Sequence, residues 1–217
     1  MSEALAEAIH VSRVFGIGEH RVVALQHATC RVEPGSRIAL VGPSGSGKST
    51  LLHLLASLDD PTSGEVRWPA LGDKNSLRPS KISFVFQSES LLAPLTVLEN
   101  IEVPRLLGGV SADQARAEST EILDALDLSE LADKLPEEIS GGQAQRAAVA
   151  RSLVTRPDLL LADEPTGQLD HAAANHLLDL LERRLAGTQM GLLIATHDRS
   201  VAARMTTQWS INHGVLA

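Results

Sequence analysis

The sequence contains very few aromatic and cysteine side chains, and each scarcity excludes a class of protein. Among its 217 residues there is no Tyr, and aromatic residues make up only 2%. Platforms that stack the bases of single-stranded nucleic acid need several rings, so this binding mode is disfavoured. The single Cys30 rules out an intrachain disulfide and a multi-cysteine zinc site. We expect it to be an inert buried thiol.

Basic charge and long apolar runs are scarce as well. The chain has 19 Lys and Arg against 27 Asp and Glu, a formal net charge of −8, whereas nucleic-acid backbones call for a basic face. We therefore expect no nucleic-acid partner. Runs such as 159–162 are far shorter than the roughly 18 residues of a membrane span, and the N-terminus lacks the pattern of a signal peptide. Work at a membrane would then need another protein to hold the chain there.

Short apolar runs that end in small or polar residues are the main signal for secondary structure. Such runs, without alternation, are typical of strands buried on both faces of a parallel sheet. They cover residues 37–42, 83–87, 158–163 and 191–197. Helical patterns lie between them, over 111–128 and over 170–186. Strands that alternate with helices predict an α/β fold with a mostly parallel sheet.

Other stretches differ from this pattern. Residues 8–25 and 64–80 are rich in turn residues and short alternating runs, which favours antiparallel strands at one side of the main sheet. Residues 88–143 are predicted to be mostly helical, with prolines as punctuation. We therefore predict a single domain over 1–217. Its core, with the β edge, comprises 1–87 and 144–217, and a helical subdomain is inserted over 88–143.

A glycine-rich segment directly after the first apolar run carries the sharpest chemical signal. It consists of Gly42, Pro43, Ser44, Gly45, Ser46, Gly47, Lys48, Ser49 and Thr50. This spacing is that of a phosphate-binding loop, whose backbone N–H groups surround phosphate oxygens at a helix N-terminus. Lys48 would reach the β- and γ-phosphates and Ser49 would bind Mg²⁺. The alternative is a glycine-rich turn without a ligand. A dinucleotide-binding pattern fails, because Thr50 stands where its third glycine belongs.

Two adjacent carboxylates, Asp163 and Glu164, follow the run at 158–163. Parallel sheets bind ligands at the carboxyl ends of their strands, and neighbouring side chains point in different directions. We assign Asp163 to the metal, held through water, and Glu164 to general-base or water-positioning work. The alternative is a solvated Asp-Glu-Pro turn.

The segment Ser140-Gly141-Gly142-Gln143 reads first as a capping box at a helix start. Two glycines in a first turn cost roughly 1 kcal/mol each relative to alanine, and a cap does not require them. An anion close to the backbone would require them, because side chains would block it. Both interpretations stay open.

Three further residues are candidates because of where they stand. Gln87 and His197 each end an apolar run, so both should lie at the same sheet edge as Gly42 and Asp163. Gln87 could contact Mg²⁺ or the attacking water, and His197 could bond the γ-phosphate. The alternative for Gln87 and His197 is that each is an ordinary residue at a strand end. The third candidate, Asp170, could be only the N-cap of the helix that follows it.

Taken together and in this order, the motifs resemble those of the ATP-binding-cassette (ABC) ATPases, over nearly the whole chain. The resemblance implies ATP and Mg²⁺ as ligands. It implies that Ser140 and Gly142 contact the γ-phosphate of nucleotide held by an opposite subunit, with Asp170 at that interface. Phe15 resembles the ring that stacks on adenine, although a core or edge Phe is the alternative. Gln87 and residues 91–98 would face a transmembrane partner.

The implied activity is ATP hydrolysis by a dimer, expected to be of identical subunits, that powers separate transmembrane permease subunits. The chain would then be cytoplasmic, peripheral on the inner face of the cell membrane. Segments 59–66, 96–104 and 161–170 are similar to the lipoprotein-releasing, macrolide-exporter and cell-division branch. An exporter or lipoprotein-extraction motor is favoured. The alternative is a regulatory ATPase that drives a periplasmic cell-wall hydrolase through a membrane partner, and a nucleic-acid or ribosome ATPase is disfavoured. Ile139 and Gln168 are mild departures from the family pattern.

Overall fold

The computed structural model describes residues 3–88 and 90–217. Within these residues the chain forms nine strands and six α-helices. The strands are β1 (Ala6–Phe15), β2 (Val22–Val32), β3 (Arg37–Val41), β4 (Ser63–Arg67), β5 (Ile82–Val85), β6 (Leu159–Asp163), β7 (Gly191–Thr196), β8 (Thr207–Asn212) and β9 (Val215–Leu216). The helices are α1 (Lys48–Leu55), α2 (Val97–Leu107), α3 (Ala112–Ala125), α4 (Gly141–Leu153), α5 (His171–Leu185) and α6 (Arg199–Ala203).

The main sheet has six strands in the order β5-β6-β7-β3-β8-β9. The first five are parallel, and β9 pairs antiparallel with β8. The four apolar runs thus become four neighbouring strands, and the predicted α/β fold with a mostly parallel sheet is confirmed. Registers such as Val41 opposite Thr196 and Asp163 opposite Ala195 bring the carboxyl ends of these strands to one edge.

Both faces of this sheet are buried, which explains why its strands lack alternation. Along β6, Leu160 and Ala162 pack in one core cluster and Leu159 and Leu161 in another on the opposite face. Helix α1 and the edge sheet cover the second face, and helices α2 to α6 contribute to the first. The sheet edge that carries the polar residues is therefore fixed between two cores.

The edge sheet is antiparallel, with the order β2-β1-β4. The prediction of strands over 8–25 is fulfilled by β1 and the start of β2. The prediction for 64–80 is wrong beyond β4, because residues 68–80 form turns and a short 3-10 helix at Lys74–Ser76. Apolar side chains in this stretch, such as Leu71 and Leu77, fill the core from turns rather than from a strand.

The helix starts follow their capping residues. Ser111 accepts a hydrogen bond from the Gln114 backbone N–H at the start of α3, and Asp170 accepts one from Ala173 at the start of α5. Helix α5 ends two residues before Gly187, which has a positive φ of 73°. The predicted limit of the helical subdomain at residue 143 falls inside the continuous helix α4, and the division into subdomains stays a prediction.

The last two strands were not anticipated from the sequence. Strand β8 lies parallel beside β3, with Ile38 opposite Thr207 and Val41 opposite Ser210. Its residues alternate between polar and apolar, and only one side chain, Ile211, is fully buried. In the part of the chain that the structure describes, no helix has the length and apolar character needed to cross a membrane.

Candidate active site

A cavity of about 430 Å³ opens where the carboxyl ends of the parallel strands meet the start of α1. Its walls combine residues from five segments of the chain. They are Val22, Val23, Ala24, Ser44, Gly45, Gly47, Lys48, Ser49, Thr50, Gln87, Asp163, Glu164 and His197. Of the candidate residues that sequence reasoning placed at one sheet edge, Gln87, Asp163 and His197 therefore meet in one cavity.

The glycine-rich loop has the backbone geometry of an anion-binding turn. Gly47, the residue before α1, has φ 108°, and a Cβ there would lie 2.4 Å from the Ala24 carbonyl oxygen. Only glycine fits this position. The loop thereby brings the first N–H groups of α1 to the cavity, where the helix N-terminus favours negative charge.

Lys48 is bound to its own loop in this structure. Its Nζ donates to the Gly42 carbonyl at 2.9 Å and to the Pro43 carbonyl at 3.1 Å, and the residue is 7% exposed. Gly42 and Pro43 thus hold the lysine rather than line the cavity. Ser46 is also buried and its carbonyl accepts a hydrogen bond from the Gly214 N–H at 2.9 Å. A triphosphate would offer Lys48 a charged partner in place of two carbonyls.

The burial and the hydrogen bonding of the Asp163 carboxylate are those expected of a metal ligand without its ion. Burial raises the pKa of its carboxyl, and the hydrogen bond from the Ser49 hydroxyl acts in the opposite direction. Its Oδ1 is buried with no hydrogen-bond partner among the described residues, an arrangement that costs free energy unless something binds there. Oxygen ligands of this kind suit Mg²⁺. The donor set of Asp163, Ser49 and Gln87 therefore fits the predicted cation.

Glu164 lies between a histidine and a lysine. Its Oε1 is 2.9 Å from His197 Nδ1 and 3.9 Å from Lys48 Nζ. The residue is 7% exposed and adopts φ 48°, in the left-handed region that non-glycine residues rarely occupy. Such strain is concentrated at functional sites. The carboxylate is aimed into the cavity, where a water beside a phosphate would stand.

Gln87 and His197 reach this cavity from the ends of β5 and β7, the strands on either side of β6. Gln87 lies two residues beyond the end of β5, so the predicted strand over 83–87 is two residues too long. His197 directly follows β7, and its side chain is largely exposed. Their placement suits the predicted roles, which remain predictions.

Ser140, Gly142 and Asp170 lie elsewhere on the surface. They line a separate concavity together with Gln168 and Leu169. Ser140 forms a full capping box with Gln143. A Cβ on Gly142 would lie 2.8 Å from Leu169 Cδ2, so close packing against the segment before Asp170 is one reason for a glycine there. These residues do not meet Lys48 within one chain.

Phe15 is not among the residues that line the cavity. It pairs with Val22 across the edge sheet and is 42% exposed. The Arg13 guanidinium lies 4.5 Å from the ring centroid and covers one face. The ring therefore has room for a flat partner, as expected of an adenine contact, and this assignment stays a prediction.

Sequence reasoning missed three residues of the cavity wall, Val22, Val23 and Ala24 at the start of β2. Val22 and Val23 are 62% and 49% exposed. The signal was present, since two consecutive valines in an alternating strand cannot both face the core. An apolar wall of this kind next to Phe15 suits a base rather than a phosphate.

The fold and the cavity together define the class of protein. A phosphate-binding loop between β3 and α1, with a buried carboxylate pair at the end of β6, is the arrangement of a P-loop nucleoside triphosphatase. The family model for ABC transporters matches residues 25–167. The chain therefore belongs to the ABC transporter family, as the motifs predicted, and it is an ATP-binding ATPase.

Comparison with similar proteins indicates which members of the ABC transporter family this chain resembles. The chain is 41% identical to the lipoprotein-releasing system ATP-binding protein LolD of Psychrobacter arcticus, with 97% of each chain covered. It is 40% identical to LolD of Bordetella pertussis, covering 97% of this chain and 94% of that one. It resembles a dimeric post-hydrolysis structure of the ATP-binding cassette MJ0796 bound to ADP and Pi. The TM-score is 0.89 at 33% identity, with 96% and 95% of the two chains covered.

Proposed function

We propose that this chain is the Mg²⁺-dependent ATPase subunit of a membrane complex that releases lipoproteins, and that two copies close around two ATP molecules. One observation is the main support for the proposed dimer. The Ser140–Gly142 concavity lies apart from the phosphate-loop cavity within the chain, so each copy supplies what the other's cavity lacks. The dimeric MJ0796 cassette and the LolD relatives support the proposal.

ATP hydrolysis would proceed by positioning and charge stabilisation, because phosphoryl transfer leaves the protein little covalent work. Lys48 moves from the Gly42 and Pro43 carbonyls to the β- and γ-phosphates. Glu164 orients a water toward the γ-phosphorus and accepts its proton as the new P–O bond forms and the bond to the β-phosphate oxygen breaks. His197 holds the Glu164 carboxylate in place, at 2.9 Å.

Ser49, Asp163 and Gln87 would hold the Mg²⁺ ion. When bound, the ion neutralises charge on the phosphate oxygens. The unpartnered Oδ1 of Asp163 supports this assignment. Ser49 and Asp163 both line the phosphate-loop cavity, so both oxygens are available at one place.

The membrane partner would dock beside Gln87. Of the segment 91–98 only the first part is suited to contact it, because Val97 and Leu98 are buried. An apolar groove of about 420 Å³, lined among others by Leu107 and by Phe86, the residue before Gln87, extends the candidate surface. Both of these side chains are exposed, as a docking site for a helix requires.

Two measurements test the proposed function. Affinity purification of the tagged chain from detergent-solubilised membranes should bring down a multi-span membrane protein. The purified complex in proteoliposomes should release an acylated protein to the aqueous phase with Mg-ATP and fail to do so after Glu164→Gln. A complex that hydrolyses ATP, activates a cell-wall hydrolase and releases no acylated protein would favour the regulatory alternative instead.

A further inference from the structure

Helix α4 is hydrogen-bonded to the chain just before Gln87. Gln145 Nε2 donates to the Phe86 carbonyl at 3.4 Å, and Ser152 Oγ donates to the Phe84 carbonyl at 3.2 Å. Gln145 and Ser152 are both buried. The backbone that leads to Gln87 is thus attached to α4 rather than to β5 alone.

Arg151, on the same helix, holds the chain just after Gln87. Its Nη1 donates to the Ser90 carbonyl at 2.8 Å and its Nη2 to the Ser90 hydroxyl at 2.8 Å. Burial lowers the pKa of this guanidinium, and no carboxylate pairs with it among the described residues. A half-buried cation is costly unless it is hydrogen-bonded, and the planar fork of arginine serves two acceptors at once.

The other end of α4 carries the Ser140 cap and Gly142. With 13 residues at 1.5 Å each, the helix is roughly 20 Å long. One rigid element therefore connects two sets of residues. Its N-terminus belongs to the surface that faces the partner's nucleotide in the proposed dimer. Gln145, Arg151 and Ser152, further along the helix, hold the segment of Gln87.

We propose that Arg151 is a positioning residue that couples the two nucleotide sites of the dimer. Through its bonds to Ser90, the position of Gln87 at a chain's own nucleotide depends on whether Ser140 and Gly142 of that chain have met the partner's nucleotide. The inference rests on the proposed dimer. Coupling of this kind needs a contiguous element that both sites displace, and α4 with its attached segment is such an element.

Arg151→Lys is the discriminating variant, because it keeps the cation and loses the two-pronged contact. Loss of a charged hydrogen bond predicts a fall in kcat of about tenfold or more. ATP affinity of the dilute protein should remain unchanged, since Arg151 does not line the cavity. Arg156→Lys is the matched control, because Arg156 is exposed and pairs with Glu121 on the surface. It should leave both quantities unchanged.

A fluorophore on Ser88→Cys reports the position of the segment directly. Ser88 is exposed, and burial raises the pKa of the Cys30 thiol to about 12, so that Cys30 stays protonated and reacts slowly at neutral pH. Measurements use the Glu164→Gln background with ATP over a range of protein concentrations. Light scattering gives the dimer fraction in the same samples.

With Arg151 present, the fluorescence change should follow the dimer fraction. Arg151→Lys should form the dimer and lose most of that change, and Ser90→Ala, which removes one of the two contacts, should lose part of it. An unchanged response of Arg151→Lys at equal dimer fraction would overturn the inference, as would loss of dimerisation in Arg151→Lys alone. If the Glu164→Gln parent forms no dimer with ATP, the proposed dimer itself is wrong, and the inference with it.

Discussion

Glu164 is constrained through its backbone as well as its side chain. Its N–H donates to the Ala195 carbonyl at 2.9 Å, and its carbonyl accepts from the Gly167 N–H at 3.0 Å. The positive φ that results turns the carboxylate toward the cavity. A buried carboxylate next to His197 and Lys48 is therefore positioned before substrate arrives, as a general base should be.

Glu164→Gln should retain ATP binding and lose turnover by about a hundredfold or more, because an amide cannot accept the proton of the attacking water. The measurements are ATP affinity by equilibrium binding and phosphate release. Glu137→Gln is a suitable control, since Glu137 is exposed and remote from the cavity. Turnover close to that of the parent protein would contradict the base assignment.

The Asp163 carboxyl should make the free energy of unfolding fall as pH rises, whereas a salt-bridged carboxylate makes it rise. Its folded-state pKa is raised by burial above the ordinary 3.8. The protonated Asp163 carboxyl therefore contributes to the free energy of unfolding below the ordinary pKa. This contribution is lost as the pH rises from there through the raised pKa. In the ligand-free protein at neutral pH, the ionised carboxylate is a cost.

Asp163→Asn should accordingly raise the unfolding temperature of the ligand-free protein at pH 7, by about 2 °C or more, and the difference should vanish near pH 3.8. The same variant should lose the extra stabilisation that Mg-ATP gives over ATP alone. Thermal unfolding across pH, with exposed Asp133→Asn as control, makes the test. A lower unfolding temperature at pH 7 would refute the argument.

Sequence alone located most single residues of the cavity, because each stands at the end of an apolar run or inside a spaced motif. It did not find Arg151 or Gln145. Their partners, Ser90 and Phe86, are about 60 residues distant in the chain. Contacts between side chain and backbone across such a separation leave no periodic signal.

At the scale of elements, helix α5 illustrates how one residue serves two purposes. Asp170 Oδ1 accepts the Ala173 N–H at 2.8 Å as the N-cap, and the same residue is exposed in the concavity with Ser140 and Gly142. The cap and the proposed subunit contact can be separated, because asparagine caps a helix as well as aspartate but carries no charge.

Asp170→Ala should lower stability by about 1 kcal/mol, or about 2–4 °C in unfolding temperature for a chain of this length. Asp170→Asn should keep the stability. If Asp170 also acts at the subunit contact, Asp170→Asn should still reduce the ATPase rate. Calorimetry and phosphate release on both variants distinguish a cap alone from a cap that also acts at the subunit contact. Full activity of Asp170→Asn would mean that Asp170 is a cap only.

Prediction of the elements succeeded where burial on both faces imposes an unbroken apolar run, as in β3, β6 and β7. It failed for residues 68–80, where Leu71 and Leu77 enter the core from turns. It also missed β8, which is half-exposed and has its place only because β3 offers a free edge. In both cases tertiary packing determines the secondary structure, because the local sequence pattern is ambiguous.

At the scale of the whole molecule, the proposed function requires two separate concavities to complete each other between two copies. Among the described residues, the phosphate-loop cavity and the concavity with Ser140 and Gly142 share no lining residue. A closed, water-poor site would strengthen every charge interaction with the triphosphate. In the proposed dimer, the second copy would supply this cover.

The rate of ATP hydrolysis per chain should therefore fall on dilution of the isolated protein. Below the dissociation constant of the dimer, doubling the concentration should double the rate per chain, because the active species forms from two chains. Steady-state phosphate release over a hundredfold range of concentration, with mass measured by light scattering, tests this. Addition of the membrane subunits should abolish the dependence by holding two copies together. A rate per chain that stays constant on dilution while the protein is monomeric would mean that one chain completes its own site, contrary to the geometry of the two concavities.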